Sequence, residues 1–392
     1  MKKKYLFLPL ILSCAFLLQC NSTQKPNSTT AAADLENLKY TVEEAPAWNA
    51  IFYRKSKWLG ADGIFAIPLN GKENVPADEN SENLFIFSDT VIGEISDTTL
   101  QAGAAIINNS VAYLKGATPL NEQINFQWNT TNPQKAAPLF TPKTATAKPG
   151  DYYWLGDGFL NTENDSIYVF AHRMHNMDPK DDWSFREMAT DLIAFPKNSK
   201  PPFADQRPIE TPLHVTDNNF GAGIFVNTKA SGVANPDGYI YVYGNQKGLI
   251  AARVKPEEFE SFKQWRFWDG QDWNADISKV KTVADSVSNE LSVTALPDGR
   301  YALVFTLGGM SPTVGMRLGK TPYGPFGPVI KLYEGREMQR KNHITYNAKA
   351  HPSLSAPGEL LISYNVNAFD FWNEFKASPN LYRPRFIRLK LQ

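Results

Sequence analysis

The chain has 392 residues, with 40 basic and 40 acidic side chains, so it is formally neutral and lacks the basic excess of a dedicated nucleic-acid binder. Hydrophobic residues make up 42%, charged residues 20% and aromatic residues 12%. That profile fits a packed protein rich in pleated surface and excludes a disordered chain, a long coiled coil or collagen.

Lys2, Lys3 and Lys4 precede an apolar run from Tyr5 to Leu18, the charged and hydrophobic regions of a secretory signal, too short for a comfortable membrane span. The run ends in Leu17-Leu18-Gln19-Cys20, which resembles the bacterial lipoprotein signal in which the cysteine is acylated. Gln19 stands where a small residue is usual, and a signal without lipid is the alternative. The expected organisation is a signal peptide over 1–20, a flexible tether over 21–45, Ser/Thr/Asn/Ala-rich to about Ala33, and one domain over 46–392. The product is expected to be a monomer in the bacterial cell envelope, touching the membrane only through Cys20. The other cysteine, Cys14, lies inside the signal, so the mature domain has no disulfide or thiolate chemistry.

Five segments then share one plan: a short apolar strand, a turn rich in Gly, Pro, Asn and Asp, and a strand of aromatic and β-branched residues. They pair 63–68 with 84–88, 154–160 with 166–170, 223–226 with 239–243, 291–294 with 301–305, and 350–354 with 360–364. The second strands begin near 84, 167, 239, 301 and 360, so they recur every 59 to 83 residues, enough for a four-stranded antiparallel blade with its loops. The predicted fold is all-β, a five-bladed β-propeller; a Greek-key sandwich is the alternative.

In a hairpin, the residue before the first strand and the residue after the second lie at the same end. There the copies carry Asp62 and Asp89, then Asp157 near His172 and Arg173, then Glu290, then Lys349 and His351 near Asn365 and Asn367. Carboxyl groups that share one cleft repel, which raises the pKa of at least one and keeps a general acid protonated near neutral pH. Glycoside hydrolysis needs such an acid, with a second carboxylate as base or nucleophile. Each Asp before a Gly is also an ordinary turn former, and Ser88-Asp89-Thr90 can serve only backbone groups. Glu290 is a poor turn former beside a buried strand and needs a partner.

Gly60-Ala61-Asp62-Gly63-Ile64-Phe65, Leu84 to Thr90, Met316-Arg317 with Thr321 to Phe326, and Ala350-His351-Pro352 with Leu361 to Asn365 together resemble the bacterial domains of unknown function 5005 and 4185. Those are similar to five-bladed propeller glycoside hydrolases such as the family 43 arabinanases and xylosidases, and the resemblance covers roughly 46–392. It implies hydrolysis of an arabinose-containing polysaccharide or oligosaccharide without a required cofactor. It makes Asp62 base or nucleophile and Glu290 general acid, with Asp89 as a partner of Asp62. It also puts His351 beside a channel metal, a structural calcium. In the third copy Asn218, Asn219 and Phe220 stand where a third Asp is expected, which leaves Asp217 or Asp157 as substitutes.

Arg317, His351, Asn365, Arg173 and His172 are the expected substrate-binding residues. His172 and His175 follow a strand, where their spacing argues against a zinc pair. Trp265, Trp268 and Trp273 are expected to pack on outer strands. A glycan-binding lipoprotein without catalysis is the rival reading.

Overall fold

The computed structural model describes Met1 and residues 34–392, except positions 77, 117, 179, 182, 216, 217 and 246. The signal, Cys20, most of the tether and Asp217 therefore lie outside the described residues. Residues from Asp34 onward form one compact unit, all-β apart from short helical turns.

Among the described residues the strands form six sheets. Five contain an inner strand, Phe65–Pro68, Tyr152–Asn161, Asn218–Asn227, Leu291–Ala295 or His343–Ala350, and in the third the short strand His214–Val215 pairs on the far side of it. In the first, second and fourth sheets three antiparallel neighbours follow in chain order; the third extends further, to Trp273–Asn274. The fifth continues through Glu359–Ala368 and Arg385–Leu391 and takes its outer strand from Tyr40–Glu44, paired from Tyr40 with Leu391 to Glu44 with Ile387. Residues 40–44, placed in the tether by the sequence reading, are thus part of the domain. The fifth copy also begins earlier than its turn signal implied: Ala350 ends the strand, and Pro352–Leu354 is a 3₁₀ turn because Pro352 brings no N–H to a ladder.

The sixth sheet pairs Ser56–Ala61 with Thr90–Ser96 and adds two short strands. It breaks the repeat plan, and no copy of it appears elsewhere in the sequence pattern.

The inner strands pack side by side in chain order, and the turn after the fifth returns to the first. Glycines make this approach feasible. A Cβ on Gly156 would lie 2.5 Å from the carbonyl oxygen of Gly221, and one on Gly223 would lie 2.7 Å from that of Leu291. Outward from this axis, apolar faces of neighbouring sheets meet in five clusters: Ile67 with Leu155, Phe170 with Val242, Tyr241 with Leu303, Val304 with Ile362, and Phe87 with Phe386 sit in successive ones. Trp265 is fully buried on the outer side of the third sheet, and Trp268 and Trp273 pack on Tyr323, as expected.

Candidate active site

Three inner strands lose their regular pairing at corresponding places, between Leu155 and Gly158, between Phe220 and Gly223, and between Tyr346 and Lys349. A bulge bends a strand and re-aims its side chains. In the fifth sheet it puts Asn347 in the left-handed region, at φ 56°, and turns Tyr346, Asn347 and Lys349 toward the same end of the molecule. The first sheet has an equivalent break: the ladder from the sixth sheet ends at Ala61 opposite Thr90, and the next begins at Phe65 opposite Ile86. Asp62 and Asp89 face each other across that gap.

The Asp62 N–H donates to the Asp89 carbonyl at 3.2 Å, and the Ser88 N–H donates to the Asp62 carbonyl at 2.9 Å. The Tyr346 hydroxyl donates to Asp62 Oδ2 at 2.7 Å, and Tyr382, donating to the Asp89 carbonyl at 3.1 Å, lies beside them. Asp62 Oδ1 is buried and has no hydrogen-bond partner among the described residues. Burial pushes the Asp62 carboxyl well up, and the Asp89 and Glu290 charges add to it against the Tyr346 hydrogen bond. Burial also raises Asp89, opposed by the Asn108 amide at 3.3 Å and by the Trp154 indole that faces it. Such a pair retains a proton where an exposed carboxyl has lost it.

Glu290 precedes the fourth inner strand, held by the Ser288 hydroxyl donating to its carbonyl at 2.6 Å. Its Oε1 accepts from Asn347 Nδ2 at 2.8 Å, and its Oε2 lies 2.5 Å from Lys349 Nζ. Lys349 is almost wholly buried, its ammonium also 4.4 Å from the Phe65 ring centroid. Both oxygens of Glu290 therefore face nitrogen atoms, one of them an ammonium.

Asp157 occupies the second bulge, but its oxygens are committed: Oδ1 accepts from Gly158 N at 2.8 Å and Oδ2 from Ile224 N at 2.7 Å. It staples the second inner strand to the third. Burial pushes its carboxyl up to about 7. Below the carboxylates, Asp157, Glu73, Ser292, Thr294, Lys349 and His351 line a cavity of about 50 Å³ along the axis.

His172, opposite Trp154, shares Nδ1 with Glu187 at 3.1 Å. Glu187 also faces His214 at 3.3 Å and accepts from Thr190 at 3.0 Å and Asn219 at 2.7 Å. Burial would lower the His172 pKa, but the Glu187 charge and hydrogen bond outweigh it, and the net shift is upward. Glu187 itself is held well below the usual carboxylate range despite its burial.

The remaining expected binding residues have other employment. Arg173 is buried, donating to Thr144 at 2.6 Å and Thr146 at 2.8 Å and lying 3.5 Å from Asp191, so it knits loops instead of facing a ligand. Arg317 donates to Gly327 and Asp285 on the outer side of the fourth sheet. His351 is buried, shares Nε2 with the Ser363 hydroxyl at 2.7 Å, and has its pKa lowered to about 3 by burial and the Lys349 charge. Among the described residues there is no cluster of three or more His, Cys, Asp or Glu that could hold a metal ion, so the expected calcium beside His351 has no carboxylate cluster around it there. Asn365 lies opposite Tyr346, fully buried, with neither amide atom hydrogen-bonded among the described residues. His175 pairs with Asp151 at 2.8 Å, apart from the carboxylate of His172, so the two histidines form no metal pair.

A family model matches residues 46–391, that of the domain of unknown function DUF5005. The chain belongs to the DUF5005 family. No curated protein matches it in sequence. Among solved structures, one from Bacteroides ovatus described as a "putative hydrolase" is similar over 93% of this chain and 97% of its own, at 22% identity and a TM-score of 0.69. An exo-β-1,3-galactanase from Phanerochaete chrysosporium aligns at 10% identity over 84% of this chain and 60% of its own, with a TM-score of 0.44. A family 43 glycoside hydrolase from Bacillus licheniformis aligns at 11% over 83% and 51%, with a TM-score of 0.42.

Proposed function

We propose that this DUF5005 protein is a glycoside hydrolase built as a five-bladed β-propeller, acting on an arabinose-containing or related polysaccharide at the mouth that holds Asp62, Asp89 and Glu290. The architecture is supported by five inner strands packed in sequence and five apolar clusters between successive sheets. One observation carries the function: carboxyls from two distant copies meet at one end of the axis, close enough that the Asp89 and Glu290 charges both act on Asp62.

Glycosidic cleavage requires a proton delivered to the leaving oxygen and a carboxylate that attacks or activates water. The Asp62–Asp89 pair, which holds on to a proton, suits the acid. Glu290, facing Lys349 and Asn347, suits the carboxylate. This reverses the assignment that the family resemblance implies. The rival, a binding protein using the same mouth, draws support from that ion pair, which occupies Glu290 before any ligand arrives. We further propose a tether through an acylated Cys20 and work as a monomer in the bacterial cell envelope.

The test is release of reducing sugar from arabinans, arabinogalactans and xylans by the mature domain, with Asp62→Asn and Glu290→Gln in parallel. Both variants should lose about 10²- to 10⁴-fold in rate while melting as the parent does. Binding of a glycan by all three proteins without sugar release would establish the binding protein instead.

A further inference from the structure

Beyond the carboxylates, a chain of aromatic rings leaves the mouth. Trp154, whose buried indole Nε1 faces Asp89, packs edge-on against Phe185 at 4.7 Å between centroids. Phe185 touches Trp183 at 6.1 Å, and Trp183 touches Phe369 at 5.5 Å. Trp183 belongs to the hairpin of the second sheet and Phe369 follows the second strand of the fifth, so the contact spans across the first sheet, which carries the aspartates. Trp183 Nε1 donates to the Phe369 carbonyl at 3.4 Å, which fixes the ring. Its loop is held by the Trp183 N–H donating to Asp181 and by Ser184 bonding Asn176.

Inner members of the chain are sheltered, whereas Trp183 is 45% and Phe369 53% exposed. Two half-exposed rings offer roughly 200 Å² of apolar face, against roughly 800 Å² for one side of a stable protein interface. The patch is too small for a subunit contact and the right size for one or two sugar rings. A furanose or pyranose presents a face of C–H bonds that lies flat on an electron-rich ring while its hydroxyls remain in water.

We propose that Trp183 and Phe369 form a stacking subsite for a sugar unit remote from the cleaved bond, so that the protein prefers a polymer or long oligosaccharide to a short one. This rests on the glycan-directed reading of the mouth but not on cleavage itself.

The experiment uses the full mature domain with oligosaccharides of two to six units prepared from arabinan, arabinogalactan and xylan. Tryptophan fluorescence measures binding, and sugar release measures turnover. The variants are Trp183→Ala, Trp183→Phe and Phe369→Ala, with Leu120→Ala as an exposed control. The expected result is a rise in KM or Kd of about tenfold on the six-unit ligand for Trp183→Ala. The loss should shrink as the chain shortens and be partly restored in Trp183→Phe. Binding with this length dependence but no sugar release would support the subsite and overturn the hydrolase. Turnover or binding in Trp183→Ala equal to the parent at every length would overturn the subsite and leave the hydrolase standing. Failure of every oligosaccharide to bind the parent would overturn the subsite as well.

Discussion

The Asp62 N–H donates to the Asp89 carbonyl, and the Asp62 carbonyl accepts from Ser88, at the point where one two-stranded ladder ends and the next begins, so the two carboxyls are placed by the chain itself and not by flexible side-chain packing. That placement holds two carboxyl groups in desolvated surroundings, where each resists losing its proton.

The pH dependence of stability follows from the raised carboxyls. Between pH 4 and 7 the folded state holds protons on Asp62, Asp89 and Asp157 that the unfolded chain has released, so for these groups stability falls as pH rises through that window. Asp157→Asn should flatten the decline; a shift from 3.8 to about 7 is worth at most about 4 kcal/mol. Urea melts at pH 4.5 and 7.5 would show it as a smaller difference between the two midpoints than in the parent.

Lys349→Met leaves the Glu290 carboxylate without its ammonium in a nearly dry site. Removal of one partner of a buried pair costs about 3–5 kcal/mol. Adding Glu290→Gln should recover part of that stability. A double-mutant cycle by chemical denaturation would expose simple additivity, and additivity would mean the pair is not coupled.

Asn347 pays a conformational penalty for donating to Glu290, being a non-glycine residue at φ 56°. Asn347→Gly relieves the backbone and removes the donor. Stability should therefore change by less than about 1 kcal/mol, while turnover on the best substrate falls. A variant that melts lower and keeps its rate would mean that the asparagine serves the bulge alone.

Glu187→Gln should lower the His172 pKa, because burial then acts with only a neutral amide beside the ring. The groups facing Glu187 include His214, Thr190 and Asn219, so the His214→Gln variant is needed as a companion. An NMR titration of the two ring signals reads this directly, and an unmoved His172 would show that Glu290, the other charge acting on it, sets its proton affinity.

The repeat plan was legible because turn residues and alternating apolar strands carry local signals, and the ends of those strands led to Asp62, Asp89 and Glu290. What surrounds them was less so. Tyr346 and Asn347 reach the carboxylates only because the fifth inner strand bulges, and nothing in Thr345-Tyr346-Asn347-Ala348 marks an extra residue in a ladder. Lys349 between two alanines was a usable sign, since a lysine in a strand of small residues needs a buried partner. Glu187 was hidden, because Arg186-Glu187-Met188 reads as the wet face of an outer strand. Asp157 and Arg173 had the right positions for ligand contact, yet both carboxylate oxygens of Asp157 and both terminal nitrogens of Arg173 are engaged by their own chain.

The outer strand of the fifth sheet comes from residues 40–44 and pairs with 385–391. In synthesis this stretch emerges first and finds its place last, after nearly every other strand exists. The circle therefore cannot close on a partial chain, and a truncation that spares every carboxylate at the mouth, but starts beyond Glu44, would still leave the final sheet with an open edge ready to pair with another molecule.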